Sequence, residues 1–167
     1  MKLNLGCGDD IRKGFINIDI NKKKGVDLVL DLNNPLPFKE NSIDYALCNH
    51  IIEHLENPIN FILDLYWVCE NGAIIEIVSP HFSSFTTHAD LTHKRGLSYF
   101  SFGEKQINKE IYQKFDVNKK FNFLNLKYKW LNFLFNPIIN LSPTLYERLF
   151  CYILPCSEIH FQLKVKK

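Results

Sequence analysis

The sequence has little excess charge of either sign and no long apolar run. Twenty lysine and arginine residues stand against 18 aspartate and glutamate residues, which gives a formal net charge of +2. Nucleic-acid-binding proteins usually carry a basic face, and nearly equal numbers of positive and negative residues do not indicate such a face. No apolar run approaches the roughly 20 residues that a membrane-spanning helix requires. We therefore expect neither nucleic-acid binding nor a transmembrane span.

Cysteine pairs at metal-binding spacing are also missing. The five cysteines are odd in number and none forms a C-x-x-C pair, which argues against a cysteine zinc motif or a disulfide framework. The first residues have no signal-peptide architecture. These features predict reduced, buried thiols in a cytoplasmic protein, at Cys7, Cys48, Cys69, Cys151 and Cys156.

The chain is expected to form one domain, residues 1–167, because 167 residues with 46% hydrophobic content suffice for one core. Short apolar segments alternate with a helical pattern in the first half, which predicts an α/β, Rossmann-like, mostly parallel sheet. The predicted helix spans 58–69, and the predicted strands cover 2–5, 16–19, 27–30, 44–48 and 73–78. Only seven residues separate Gly8 from the second strand, so the first crossover helix is nearly absent.

The second half follows a different pattern. Residues 81–103 have little periodicity and predict a long loop, and 104–115 predict a helix. Residues 121–129 and 158–166 alternate apolar and polar side chains, which predicts antiparallel strands that close the sheet. Between them lies an aromatic, helical insertion at about 130–156, which we expect Pro137, Pro143 and Pro155 to break up. Core packing is favoured for it, with a lid, a homodimer surface or a membrane-surface contact as alternatives.

Glycines at the end of the first strand indicate a ligand site. The Gly6-Cys7-Gly8 turn lets the backbone approach a nucleoside ligand, and Asp19 ends the next strand, where a carboxylate can bind a ribose diol. The third glycine of a dinucleotide fingerprint is missing, because Ile11 stands in its place and Asp19 comes too early. The acidic pair at 9–10 would also repel a pyrophosphate. S-adenosylmethionine, which carries a sulfonium and an amino acid instead of phosphates, is the favoured cofactor.

Several motifs follow this turn in a fixed order, and together they carry a family resemblance. The chain resembles small class I S-adenosylmethionine-dependent methyltransferases, and most of all the short bacterial type associated with surface-polysaccharide or sugar modification. The resemblance covers residues 2–80, with further pieces at 90–95 and 146–148. It depends on Gly6-Cys7-Gly8, Asp19, Asp31, Leu36-Pro37-Phe38, Ser42-Ile43-Asp44 and Glu53-His54-Leu55.

The resemblance implies a role for each matching residue. Gly6, Cys7 and Gly8 would contact the methionine part of the cofactor, and Asp19 would hold the ribose hydroxyls. Asp31 and Leu32 would flank the adenine. Asn49 and His50 would line the methionine side near the transferable methyl group. The chain departs from the pattern at Asn4, where many relatives carry an acid, and in its missing first helix.

A histidine-rich segment after the fifth strand supplies candidates for acid–base chemistry. A base that removes a hydroxyl proton speeds methyl transfer to oxygen, and histidine suits that task near neutral pH. The candidates are His81, His88, Asp90 and His93, with His50 next in line. A divalent metal on His88-x-Asp90-x-x-His93, or purely structural His–Asp hydrogen bonds, are alternatives. No metal is expected. Lys94 and Arg95 could grip an anionic group of the substrate.

These observations predict an enzyme that moves a methyl group to a hydroxyl of a small molecule, sugar or surface-polysaccharide precursor. The alternative is a non-catalytic subunit that keeps the cofactor fold and binds a partner. A nucleic-acid methyltransferase is disfavoured because the Asn/Asp-Pro-Pro-aromatic tetrapeptide is missing, and residues 49–52 stand in its place.

Overall fold

The computed structural model describes residues 1–106, 108–124 and 130–167. Seven strands form one sheet in the order β3-β2-β1-β4-β5-β7-β6. They are β1 (Lys2–Leu5), β2 (Ile16–Asp19), β3 (Leu28–Val29), β4 (Ile43–Asn49), β5 (Cys69–Pro80), β6 (Phe115–Asn122) and β7 (Glu158–Val165). The first five pair in parallel, and β7 runs antiparallel to both β5 and β6. This confirms the predicted Rossmann-like α/β sheet with an antiparallel closing strand.

The helices are short. A 3-10 turn (Ile52–His54) follows β4, and α1 (Pro58–Val68) crosses to β5. After β5 come α2 (Phe85–Ala89) and α3 (Lys109–Lys114), and the insertion contains α4 (Leu131–Leu141), α5 (Pro143–Leu145) and a π-helical turn (Tyr146–Phe150). Of the helices in the described residues, none is long and apolar enough to cross a membrane.

Several predicted boundaries were wrong. The predicted loop 81–103 contains the short helix α2, and the helix expected over 104–115 is reduced to α3. The strand expected at 121–129 is β6, which begins six residues earlier at Phe115, while 125–129 lie outside the described residues. The alternation of β6 is masked because the inward position Lys119 is charged. Its ammonium group forms an ion pair with Glu104 and lies over the ring of Tyr99.

The place of the first helix is taken by a loop, as predicted. Residues 6–15 contain no helix, and side-chain amides hold them against the sheet. Asn4, which is buried, donates to Asp10 O at 2.6 Å and to Asn17 Oδ1 at 3.0 Å. Asn17 in turn accepts from Arg12 N at 2.9 Å. The departure from the family pattern at Asn4 therefore has a structural function in this chain, since it fixes the loop that carries the glycine turn.

The insertion covers the edge of the sheet with one face and leaves the other face bare. On α4, three asparagines spaced four residues apart hydrogen-bond to the backbone of the edge segment 121–124, namely Asn132, Asn136 and Asn140. The helix continues through Pro137 instead of ending there, contrary to the expectation. On its outer side Phe133 and Leu141 are 91% and 87% exposed. Packing therefore accounts for only part of the insertion.

Candidate active site at the carboxyl edge of the sheet

The strand order reverses at β1, which lies between β2 and β4. A crevice forms at the carboxyl ends of the strands at such a point, and ligands of open α/β sheets bind there. In this chain the crevice is a cleft of about 570 Å³. Its lining includes five of the residues predicted to bind the cofactor, namely Gly6, Asp19, Asp31, Leu32 and His50. The other three, Cys7, Gly8 and Asn49, lie close to lining residues in the sequence.

Gly6 turns the chain from β1 into the wall of the cleft. Its φ of +66° lies in the left-handed region, which favours glycine. A Cβ at this position would also stand 2.7 Å from the side chain of Ile51. The side chain of Ile51, which follows β4, therefore packs directly against the backbone of the turn, and glycine alone satisfies both constraints without strain.

Asp19 is fixed by the backbone of its own site. Its Oδ2 accepts from Gly8 N at 2.8 Å and its Oδ1 accepts from Asn21 N at 2.8 Å. The side chain is buried, and each carboxylate oxygen keeps capacity for a second hydrogen bond. This arrangement fits a ribose diol, whose two hydroxyls would donate to the oxygens.

Asp31 both caps a turn and lines the cleft. Its Oδ1 accepts from the backbone N and the side-chain Nδ2 of Asn33, both at 2.9 Å, so it caps the turn after β3. It also lines the cleft beside Leu32, whose side chain is buried. A polar acceptor next to an apolar surface fits a purine ring.

His50 lies at the end of β4 in a strained conformation. Its φ is +53°, which is uncommon for a residue other than glycine and is often found at functional sites. Its Nε2 lies 2.8 Å from Glu158 Oε1, and its Nδ1 lies 3.3 Å from Glu53 Oε1. The hydrogen bond to Glu158 and the contact with Glu53 raise the pKa of His50 to about 9. Burial alone would raise the pKa of Glu158, but hydrogen bonds from His160 and His50 outweigh burial and lower it to about 2.

A second, smaller cavity adjoins the first. It has a volume of about 170 Å³ and is lined by His50, Pro80, Phe85, Thr86, His93, Ser157 and Glu158. His50 lines both the cleft and this cavity. The two spaces therefore meet at one imidazole, with residues that the sequence predicts to bind the cofactor on one side and the histidine-rich loop on the other.

The structure separates the residues predicted for proton transfer. His93 lines the small cavity with His50, and its Nε2 lies 3.8 Å from Asp90 Oδ2. His88 is exposed at the end of α2. His81 is fully buried in an aromatic cluster, where it contacts Ser83 and lies 3.1 Å from Glu147 Oε1.

These contacts favour a structural role for His81. Glu147 also accepts from Ser98 Oγ and from the backbone of Tyr99, so it joins the insertion to the loop after β5. Burial would raise the pKa of Glu147, but the hydrogen bonds from His81, Ser98 and Tyr99 hold it below its usual range.

Lys94 and Arg95 make their contacts within the protein. Arg95 donates to the carbonyls of Ile52, Leu55 and Glu56, and Lys94 forms an ion pair with Glu56 at 2.5 Å. Both side chains therefore link the histidine-rich segment to the residues in and after the 3-10 turn. The expectation that they grip a substrate group finds no support in these contacts.

Two glutamates of the site were missed as functional residues. Glu53 is fully buried, and the available signal is its place in the Glu53-His54-Leu55 motif, three residues after His50. Glu158 opens β7 and lies 108 residues from His50 along the chain. Nothing in its local sequence distinguishes it from an ordinary strand residue.

Comparison with known proteins agrees with this architecture. Residues 3–77 match the family model of a methyltransferase domain. The chain is 27% identical over 124 residues to an uncharacterised protein of Methanocaldococcus jannaschii, and the alignment covers 74% of this chain. It covers 58% of the relative, so the chain spans little more than half of that protein's length.

Solved structures share the fold at low sequence identity. A SAM-dependent methyltransferase of Archaeoglobus fulgidus has a TM-score of 0.61 at 19% identity, over 98% of this chain and 85% of that chain. A SAM-dependent methyltransferase of Thermotoga maritima has a TM-score of 0.58 at 16% identity, over 99% and 81%. The [4+2]-cyclase SpnF has a TM-score of 0.60 at 14% identity, over 99% and 74%.

The domain match and the fold support S-adenosylmethionine as the cofactor, and the residues of the cleft fit it. Gly6 brings its backbone into the wall of the cleft at a positive φ, Asp19 offers two fixed acceptor oxygens, and Asp31 stands beside an apolar wall. Residues 3–77 thus match a methyltransferase domain, and the chain has the Rossmann-like fold of S-adenosylmethionine-dependent methyltransferases.

Proposed function

We propose that the protein transfers a methyl group from S-adenosylmethionine to a hydroxyl of a small-molecule or glycan acceptor, such as a sugar or a surface-polysaccharide precursor. The observation that carries this proposal is the position of His50, which lines both the large cleft and the small cavity. Two ligands bound in these spaces would meet at that side chain. S-adenosylmethionine supplies an electrophilic methyl group when it is bound.

The cofactor side of the site uses the predicted residues. The Gly6-Cys7-Gly8 turn and Asn49 hold the amino-acid part, Asp19 holds the ribose, and Asp31 with Leu32 holds the adenine. Support comes from the fixed carboxylate of Asp19 and from the lining of the cleft. The ordered loop 6–15 keeps this surface in place without a first helix.

The acceptor side is the small cavity. Its wall combines an apolar surface at Pro80 and Phe85 with polar groups at Thr86, Ser157 and His93. An aromatic face with hydrogen-bonding groups around it suits a sugar, which presents C–H groups on its faces and hydroxyls at its rim. The ion pair with Glu158 fixes His50 between the two spaces, where its ring forms part of the wall of each.

His93 is the proposed proton acceptor for the hydroxyl. It lines the cavity, it is nearly buried, and Asp90 lies beside its Nε2 at 3.8 Å. The exposed His88 and the enclosed His81 are less well placed to accept that proton, because neither lines the small cavity.

The reduced, buried thiols at all five cysteines support a cytoplasmic location.

The alternative, a non-catalytic subunit that acts through a partner, has one specific observation in its favour. The outer side of α4 and the following turns expose large apolar side chains, among them Phe133, Leu141, Tyr152 and Ile153. Exposed apolar surface of this kind often marks an interaction site. A homodimer contact or a membrane surface would use this face, and either is compatible with methyl transfer.

The experiment has two stages. Calorimetry with S-adenosylhomocysteine tests the cleft, with Asp19→Ala as the site variant and Asp116→Ala as the matched control, because Asp116 is an exposed residue on β6. Methyl transfer from isotope-labelled cofactor to a panel of free and nucleotide-linked sugars tests the activity. We expect binding that is weakened by Asp19→Ala alone, and label in a sugar ether. Absence of binding in the parent protein would contradict the proposal.

A further inference from the structure

A group of three side chains at the junction of the two cavities has the composition of a metal site. Glu53, His54 and His93 each offer one ligand atom, and these atoms lie within 4.8 Å of one another. This is a different set from the His88, Asp90 and His93 that the sequence suggests. Within the part of the chain that the structure describes, these are the histidine and acidic side chains whose potential metal-ligand atoms lie this close together.

Only one of the two carboxylate oxygens of Glu53 accepts a hydrogen bond from a described residue. Its Oε2 accepts from Ser79 Oγ at 3.0 Å, which fixes the carboxylate. Its Oε1 is buried and lacks a well-directed hydrogen bond from any described residue. Two ring nitrogens lie near it, His50 Nδ1 at 3.3 Å and His93 Nε2 at 4.0 Å. The contact with His50 offsets part of the charge of this buried oxygen in the metal-free protein, and a metal ion bound between Glu53 and His93 would add to that compensation.

The tautomer of His54 is fixed by a short chain of hydrogen bonds. Thr92 Oγ1 donates its proton to Asp90 Oδ1 at 2.7 Å, so it can only accept from His54 Nδ1 at 3.0 Å. The proton of the neutral imidazole is therefore on Nδ1, and Nε2 keeps its lone pair. Metal-binding histidines are typically oriented by such a partner on the other ring nitrogen.

His93 completes the group. Its side chain is 8% exposed and packs edge-on against His54, with ring centroids 4.6 Å apart. Its Nδ1 is buried and has no hydrogen-bond partner among the described residues. The 3.8 Å and 4.0 Å separations from Asp90 and Glu53 exceed hydrogen-bonding distance for Nε2. A nearly buried imidazole without a close partner has a nitrogen available as a ligand.

We propose that Glu53, His54 and His93 bind a divalent transition metal ion, and that this ion is Zn²⁺. Two imidazoles and one carboxylate form a zinc site that leaves the fourth position open. Tetrahedral bonds of about 2.0 Å would draw the ligand atoms from within 4.8 Å to roughly 3.3 Å apart, a movement that side-chain rotation can supply.

The location gives the ion a role, and this role alone rests on the proposed function. His54 lines the large cleft and His93 lines the small cavity, so the ion lies between them. Its open position takes the hydroxyl oxygen of the acceptor and lowers the pKa of that hydroxyl. In the metal-bound protein His93 would be a ligand and not a base, so the hydroxyl, acidified by the ion, would release its proton to solvent while its oxygen takes the methyl group from the sulfonium.

The test measures metal binding without turnover. Protein stripped with EDTA and dialysed is titrated with Zn²⁺ by calorimetry, and with Co²⁺ by visible absorption, which separates imidazole and carboxylate ligands from thiolates. We expect one Zn²⁺ per chain, and at least a tenfold loss of affinity in His54→Asn and His93→Asn. Thr92→Val should lower affinity by about 10- to 100-fold, as loss of an orienting partner does. His88→Asn is the matched control and should bind like the parent.

The outcomes separate this proposal from the proposed function. Parent protein that takes up no stoichiometric Zn²⁺, or binding that survives His93→Asn or is lost in His88→Asn, would overturn the metal site. Circular dichroism of each variant shows that it is folded, and the partly exposed His54 and the exposed Thr92 keep the test valid if a change at the buried His93 prevents folding. S-adenosylhomocysteine binding is measured on the same stripped protein, and its absence contradicts the methyltransferase proposal while leaving the metal result intact.

Discussion

His50 Nε2 and Glu158 Oε1 lie 2.8 Å apart although 108 residues separate them in the chain. One residue directly follows β4 and the other opens β7, on the far side of β5. The pair fixes the imidazole at the point where the two cavities meet. It also makes the stability of the site depend on pH at both ends of the range.

In metal-free protein, the ion pair should stabilise the fold most between about pH 4.5 and 6.5. The folded pKa of His50 is about 9 against roughly 6.5 in the unfolded chain, so its contribution is lost as pH rises from 6.5 through 9. The folded pKa of Glu158 is about 2, so its contribution is lost as pH falls below its unfolded value towards 2.

Urea unfolding from pH 3 to 10 checks this. The side chain of His50 is 37% exposed, so solvent screening reduces the alkaline loss to about 1–2 kcal/mol. His50→Asn keeps a residue type that tolerates positive φ and should flatten the alkaline limb. An unchanged alkaline limb in that variant would contradict the assignment.

Gly6→Ala should cost more stability than an equivalent change elsewhere. The new Cβ meets Ile51 at 2.7 Å and the backbone stays at positive φ. Gly72→Ala is the matched control, because Gly72 has a φ of +83° and an added Cβ there would have no neighbour within 4 Å. The control should lose about 1–2 kcal/mol from φ strain alone. Thermal unfolding and S-adenosylhomocysteine calorimetry measure both variants, and equal losses would show that Ile51 moves aside freely.

Asp19→Ala and Asp31→Ala should each weaken S-adenosylhomocysteine binding by about 1–3 kcal/mol, the scale of a lost hydrogen bond to a charged group. Asp19→Ala should also lower stability, because Gly8 N and Asn21 N lose their acceptor. Calorimetry and urea unfolding separate the two effects. Parental affinity in both variants would exclude the cleft as the cofactor site.

Substitutions of the three histidines should have three different effects. His93→Asn is expected to lower turnover by a factor of roughly 100 to 10,000 with little change in cofactor affinity, since it lies on the acceptor side. His81→Asn should lower the melting temperature, because its contact with Glu147 joins the insertion to the sheet. Steady-state kinetics with an identified acceptor and thermal scans distinguish them. His88→Asn should resemble the parent in both measurements.

The bare face of the insertion should carry any association of the protein. Phe133→Ser with Leu141→Ser should leave the melting temperature unchanged, because these side chains are 91% and 87% exposed. The double variant should reduce self-association in light scattering and binding to lipid vesicles, whichever the parent shows. Association that persists in the variant would place the contact on another surface.

The sequence by itself determined the parallel part of the sheet and the residues at its carboxyl edge that line the cleft. The first two strands begin and end where predicted, and Gly6, Asp19 and Asp31 reach the same cleft. The reason is local, because each of these residues ends a parallel strand or closely follows one, and parallel strands deliver their carboxyl ends to one edge.

Only the tertiary structure decided which side chains line the smaller cavity beside the cleft. His88, Asp90 and His93 are neighbours in sequence, but the fold exposes His88 and turns His93 toward Glu53. Glu158 reaches His50 because β7 inserts between β5 and β6, an arrangement that local patterns do not encode. Strand periodicity reports which face a residue occupies, whereas the pairing of side chains from distant elements depends on how those elements pack.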